Sequence, residues 1–330
     1  FHKIPPIITI LVPHFPLFYH LKQKYKQNKQ TEFLLFFFSF RGPFPFDSCI
    51  IRKTVSSGGY MIVTIKDDFD ADKIMRSGQC FRVVQTEYGY RFITGSHVLY
   101  MKPLTETKYD ISCSRYQWNH TWKPYFDWNR NYKSIREALP ESDPCLYKAA
   151  SYSSGIRILR QDPWETLITF IISQRKSIPA IRSAVEALAK AAGKPVKTPY
   201  EIIYTFPMPK ELSKLSLEEL KSCSLGYRAP YIYDTVKAAV KTPGIMKKIG
   251  TLDDEDLLKA LMDFPGVGIK VAGCTALFGY GRTSFAPVDV WISRVIDTFY
   301  QGENPFPPFG ENAGILQQYL FFYAQTTKLK

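Results

Sequence analysis

Phe264-Pro265-Gly266-Val267-Gly268-Ile269-Lys270-Val271-Ala272 decides how the chain folds. It stands between two helical patterns. Upstream, Asp253 to Asp263 sets Leu257, Leu258, Leu261 and Met262 on one apolar face. Downstream, a helix from Lys270 to about Phe278 turns Val271, Cys274 and Phe278 inward. Gly266 and Gly268 permit a tight turn whose backbone N–H groups stay exposed. Those donors and the positive end of the second helix suit a phosphate oxygen. The spacing predicts a helix-hairpin-helix, which holds a nucleic-acid backbone without reading its sequence. Spacing alone leaves open an ordinary helix–helix connection that contains PGVG.

Lys270 opens the second helix, where the helix dipole disfavours positive charge. A lysine that is neutral part of the time can act as a nucleophile and form a Schiff base. A surface lysine touching phosphate is the alternative. Pro287-Val288-Asp289-Val290 follows 19 residues after Lys270, counted from Lys270 to Asp289. Asp289 is placed to cap the apolar helix Val290 to Tyr300. Beside a flipped nucleotide the same carboxylate can stabilise positive charge developing on the sugar, as any oxocarbenium-like glycosidic cleavage requires.

Outward from the hairpin, the chain is nearly all helical from about Asp162. Asp162-Pro163 is an N-cap with proline at the first helical position, opening a helix from Trp164 to Ser173. Ile178 to Ala192 is stopped by Gly193, and Leu217 to Cys223 and Tyr231 to Lys241 follow. From Met61 to about Tyr109 the composition favours strands, at Met61–Ile65, Cys80–Val84, Tyr90–Thr94 and His97–Met101, separated by turns. Asp127 to Pro144 begins the switch to helices. The fold class expected is α+β: an N-terminal antiparallel sheet domain over 61–150, then a helical core over 151–330.

Residues 1–60 are rich in Phe, Pro, Lys and Gln and keep no helix or strand period. Gly58-Gly59, encodable by a ribosome-binding sequence, lies just before Met61. Residues 1–60 are therefore expected to be translated leader or a disordered arm, with a basic DNA-binding arm as the competing reading; a native peptide from upstream of Met61 would sink the leader. The formal net charge of +13 points to a polyanion. Only 8 of the 43 Lys/Arg and 2 of the 30 Asp/Glu fall in residues 1–60, so the body stays basic without them. Six scattered cysteines, with no CxxC pair, exclude a zinc ribbon, an iron–sulfur centre and a secreted disulfide framework, and fit a reducing cytoplasm. No stretch reaches the roughly 20 apolar residues of a membrane span. No metal or organic cofactor is expected.

The hairpin, lysine and PVD aspartate together resemble the helix-hairpin-helix, Gly/Pro-Asp glycosylase superfamily, and more closely the bacterial branch of its 8-oxoguanine DNA glycosylase/AP lyases. The resemblance runs from about Met61 to Phe322. Ser77-Gly78-Gln79-Cys80-Phe81-Arg82 is similar to the family's SGQxFRW segment, which implies that the Gly78 carbonyl accepts the N7–H that 8-oxoguanine has and guanine lacks; Val83 replaces the usual tryptophan. Gly155 to Glu165 looks like the start of the family's helical core. Leu225-Gly226-Tyr227-Arg228-Ala229 is similar to the segment supplying a wedge tyrosine and an arginine toward the orphaned base. Cys274 matches the cysteine against one face of the extruded base. Ala313 to Phe321 matches the segment in which Gln317 would read the Watson–Crick edge and Phe321 would stack opposite Cys274.

The sequence departs from the pattern at several points. Arg175 stands where an asparagine usually fills the gap left by the flipped base, Ala180 where animal members carry an arginine, and Trp291 where they carry a histidine near phosphate. Weaker discrimination for cytosine opposite the lesion follows from the first two. The resemblance implies base-excision repair by a monomer acting on double-stranded DNA with oxidised purine, at the bacterial nucleoid. An alkylated-base glycosylase of the same superfamily, which uses aspartate and water, and a non-catalytic helix-hairpin-helix DNA-binding protein are the alternatives; Lys270 argues against the first.

Overall fold

The alternating run at Met61 becomes an edge-strand pattern because Val63 points into the core while its neighbours face outward. In the computed structural model, which describes residues 61–328, β1 (Met61–Thr64) pairs with β5 (Lys108–Ile111). The expectation for residues 1–60 lies outside the described residues. β4 (His97–Pro103), β3 (Gly89–Thr94) and β2 (Val84–Thr86) complete an antiparallel sheet in the order β1-β5-β4-β3-β2. Register follows the apolar alternation: Phe92 faces Leu99, and Ile111 meets both Met61 and Met101.

Two parts of this region differ from the expected strands. Helix α1 (Ala71–Arg76) stands between β1 and β2, capped by Asp70, whose carboxylate accepts from Asp72 N at 2.9 Å and Lys73 N at 3.0 Å. Cys80–Val84 is not a strand: only Val84 enters β2. The reason is packing. Phe81 joins the helical core while Cys80 and Val83 join the core beneath the sheet, so this segment threads between two cores. Arg82, buried between them, donates to Glu186 at 2.8 Å and to the Tyr204 carbonyl.

Helices begin earlier than Asp127. Arg115–Gln117 and Lys123–Tyr125 flank a π-helical turn at Trp118–Trp122, whose two tryptophans pack into the sheet core. Tyr132–Glu137 and α2 (Pro144–Tyr152) follow. Arg157 then ties the layers together. Its guanidinium, 1% exposed, donates to the carbonyls of Asp68, Phe126, Asp127 and Arg130 and to Asp67 at 2.8 Å, and lies over the Tyr132 ring. A buried charge is tolerable here because every donor direction has an acceptor.

The helical core contains α3 (Pro163–Ser173), α4 (Ile178–Ala192), α5 (Ala229–Lys241), α6 (Asp254–Met262), α7 (Ile269–Phe278), α8 (Val290–Phe299) and α9 (Ala313–Thr327). Asp162 caps α3 through Glu165 N, and Gly193 ends α4 as expected. A small hairpin, β6 (Pro195–Lys197) with β7 (Ile202–Tyr204), interrupts the helices. α7 is buried on every side from Val271 to Phe278, which its run of apolar and small residues permits. It packs on α3, where Phe170 stacks on Phe278 at 5.6 Å. On α6 the buried residues are Leu257 and Leu261; Met262, placed on the core face by spacing, is 38% exposed, and Leu258 is half-buried. These two lie four apart on the flank of the helix, so the apolar face is narrower than expected. Among the described residues no helix is long and apolar enough to cross a membrane.

Candidate active site

The turn between α6 and α7 is shaped by Gly266. Its φ is +77°, and a Cβ there would lie 2.6 Å from Cγ of Tyr231. Gly268 is different: it is exposed, has ordinary extended backbone and has open space where a Cβ would be. As the N-cap of α7 it has no side chain to offer the first-turn N–H groups. α3, α6 and α8 have those donors closed by Asp162, Asp253 and Asp289. α7 therefore presents free backbone donors to solvent, the arrangement an anion needs.

Lys270 follows on the first turn, half-buried, with Nζ 5.0 Å from the centroid of the Phe170 ring. It makes no ion pair among the described residues. Cys274, one turn on, is buried; burial pushes its thiol up, the nearby Lys270 ammonium opposes this, and the Asp289 carboxylate adds to it. Asp289 caps α8 through one oxygen only: Oδ1 accepts from Trp291 N at 3.0 Å and Ile292 N at 2.9 Å. Oδ2 accepts no hydrogen bond among the described residues.

Lys270, Cys274 and Asp289 line one cavity of about 420 Å3 together with Gly78, Trp291, Gln317 and Phe321. Gly78 has φ +74°, and a Cβ would lie 2.9 Å from the Phe321 ring, so only glycine lets the ring lie this close. Gln317 is 5% exposed, and its Oε1 is buried without a hydrogen-bond partner. A buried amide left unpaired is uncommon in folded proteins and marks a place where a ligand group can complete it.

The remaining predicted residues do not line this cavity. Arg175 is exposed, with φ +50°. Tyr227, 53% exposed, sits on the turn Gly226–Arg228 and donates to the Gln174 carbonyl at 3.4 Å. Arg228, expected to face an orphaned base, is buried: it donates to the carbonyls of Gln174 and Leu225 and stacks on Tyr227 at 4.3 Å, with Nε unpaired. Gln174 Nε2 in turn donates to the Gly266 carbonyl at 3.0 Å. Gln174 thus joins the loop after α3, the tyrosine turn and the hairpin.

Sequence reasoning missed Lys176, which lines the cavity and donates to the Ser224 carbonyl; burial, then the charge of Arg228, draws its amine down from the ordinary lysine range. It also missed Gln318 and Phe170. A basic residue beside Arg175 was the available signal for Lys176; nothing in spacing distinguishes Gln318 from its neighbour. Among the described residues no group of three or more His, Cys, Asp or Glu is disposed to hold a metal.

Two family models match the chain: the 8-oxoguanine DNA glycosylase N-terminal domain over residues 61–167 and the HhH-GPD superfamily base excision DNA repair protein over 168–307. A "Probable N-glycosylase/DNA lyase" of Methanothermobacter thermautotrophicus is 32% identical over 54% of this chain and 66% of its own length. The chain spans 42–66% of the lengths of the curated N-glycosylase/DNA lyases it matches. Among solved structures, MBOgg1 in complex with a low-affinity DNA ligand is 35% identical with a TM-score of 0.77, covering 83% of this chain and 98% of that one. The Clostridium acetobutylicum 8-oxoguanine glycosylase/lyase, bound to double-stranded DNA with cytosine opposite 8-oxoG, is 32% identical with a TM-score of 0.74, covering 82% and 99%.

Proposed function

Since the chain belongs to the 8-oxoguanine DNA glycosylase family of HhH-GPD base excision repair proteins, we propose that it removes 8-oxoguanine from double-stranded DNA and nicks the abasic strand through a Schiff base on Lys270. The observation that carries this reading is the convergence of Lys270, Asp289, Gly78, Gln317 and Phe321 on one cavity.

The open first turn of α7, with Gly266 and Gly268, holds a phosphate, and Tyr227 wedges into the stack as the lesion leaves it. Arg175 fills the vacated space, and Arg228 turns from its carbonyl partners toward the opposite base. Arg175 and Ala180 support weak selection of cytosine there. Trp291 contributes to the DNA-facing rim. In the cavity, Phe321 and Cys274 bound the base on its two faces, Gln317 meets its Watson–Crick edge and the Gly78 carbonyl accepts N7–H. Guanine offers that carbonyl a lone pair instead, leaving a buried acceptor unsatisfied.

The amine of Lys270 then attacks C1′, and the bond to N9 breaks with its electron pair leaving on the base. The free oxygen of Asp289 stabilises positive charge on the sugar and assists transfer of the amine proton. The C1′–O4′ bond of this aminal then breaks, its electron pair and a proton going to O4′, which leaves a Schiff base between Nζ and C1′. That imine acidifies C2′–H, and loss of the proton expels the 3′ phosphate and nicks the strand. The reading takes the protein as a monomer at the bacterial nucleoid, a placement supported by its basic body and scattered cysteines.

Borohydride trapping on a duplex with one 8-oxoguanine, beside Lys270→Gln, tests this. A covalent band that vanishes in the control is expected. Base release without a covalent band would move the assignment to a water-using glycosylase, and DNA binding with neither would leave a binding protein.

A further inference from the structure

Gly78 lines the cavity, and its carbonyl and those of Ser77 and Gln79 on either side of it are treated differently. Gln318 Nε2 donates to the Ser77 carbonyl at 2.6 Å, bridging 241 residues of sequence, and both groups are buried. Gln161 Nε2 donates to the Gln79 carbonyl at 2.7 Å. The Gly78 carbonyl between them accepts no hydrogen bond among the described residues. The side chain of Gln79 adds to the frame: its Nε2 donates to Ser77 Oγ and to the Arg157 carbonyl at 2.9 Å each, and its Oε1 accepts from Leu159 N at 2.7 Å.

We infer that Gln318 and Gln161 are positioning residues that clamp the carbonyls on either side of Gly78, and so aim the Gly78 carbonyl at the lesion. This rests on the 8-oxoguanine reading above. Glycine at φ +74° is the most rotatable residue the chain has, so a lone glycine carbonyl would swing unless both adjoining peptides were held. The two glutamines hold them without using the central acceptor. Gln318 also follows Gln317 directly on α9 and precedes Phe321 by three residues. A single bond therefore ties the helix carrying the edge-reading amide and the stacking ring to the bend after α1 that carries the N7–H acceptor. Lesion reading from both sides is set in one frame.

The test compares two single-turnover rates for each enzyme: release of 8-oxoguanine, which needs the carbonyl, and strand cleavage at a preformed abasic site, which has no base to read. Gln318→Met keeps side-chain length and removes the donor. It should lower lesion release on the order of 10–100-fold while lowering abasic cleavage far less. Gln161→Met acts on the other flank, should show the same split, and serves if the first variant fails to fold. Loss of both activities in proportion would overturn the clamp and leave Gln318 a packing residue. Unchanged lesion release would overturn it too. A wild-type protein that cleaves abasic DNA but releases no 8-oxoguanine would instead overturn the substrate reading, and the clamp with it.

Discussion

Replacing Gly266 with alanine should destabilise the protein by about 2–5 kcal/mol, and the same change at Gly268 should not. The estimate comes from two local terms. At φ +77° a side chain bearing Cβ costs about 1–2 kcal/mol. The new methyl would also lie 2.6, 2.7 and 2.8 Å from Cγ, Cδ2 and Cβ of Tyr231. These atoms are at the root of that side chain, not its flexible end, so the clash is relieved only by moving helix α5 or the turn, at about 1–3 kcal/mol. Gly268 has neither term, and alanine there should be neutral or stabilise by up to about 1 kcal/mol through the unfolded chain. Its methyl would instead stand in the open face of the turn and weaken DNA binding. Urea denaturation and anisotropy titration of a fluorescent duplex measure the two effects. The pair Gly266→Ala with Tyr231→Ala should recover the steric part. A Gly266→Ala protein as stable as wild type, or a Gly268→Ala protein equally destabilised, would refute this account of the hairpin.

Asp289→Asn keeps an N-cap for α8 and removes the charge, so melting should change by under about 1 kcal/mol while base release falls by roughly two orders of magnitude or more; equal losses in the Asn and Ala variants' stability would count against the split between the two oxygens. Burial pushes the Glu165 carboxyl up to about 7 from an ordinary 4.5, with Arg82 only partly offsetting it. A raised carboxyl favours the folded state while protonated, so that stabilisation is present below about 4.5 and disappears as pH rises through about 7. Glu165→Gln should flatten this segment of the stability–pH curve, gaining roughly 3 kcal/mol over wild type at pH 8 relative to pH 4; parallel curves by urea denaturation would exclude the effect. Arg157→Lys should cost about 3–5 kcal/mol, because an ammonium cannot satisfy five acceptors spread around a planar fork, and a soluble variant with an unchanged melting point would contradict that.

Helix boundaries were legible wherever an Asx-Pro start or a glycine stop marked them, as at Asp162-Pro163 and Gly193. The hairpin was legible because Gly266, a residue free to take positive φ, stands between an amphipathic helical pattern and an apolar one. The strand β5 and helix α1 were not. β5 is held by pairing with β1 and β4, which are distant in sequence, and α1 is too short for periodicity to register. Cys80–Val84 reads as a strand by composition, yet alternate residues enter different cores, and no local pattern reports that. Lys270 and Asp289 could be argued from helix ends and chemistry alone. Gly78, Gln317 and Phe321 could not, since convergence across some 240 residues is a tertiary fact; the family resemblance brought them into view. The buried state of Arg228 was hidden for a similar reason, since its carbonyl partners are supplied by a kinked turn and a loop after a different helix.

Gln174 has a mechanical consequence. Through its carbonyl and its amide, this one residue couples the loop after α3, the tyrosine turn and the glycine hairpin. Segments coupled in this way move as one template, not as three independent fingers. A duplex meeting such a template must supply the deformation itself, and bent or unstacked DNA is cheapest where pairing is already weakened. Search along undamaged DNA would then depend on how readily each base pair yields, with the protein presenting the same profile until a base leaves the stack and Arg228 lets go of the Gln174 carbonyl.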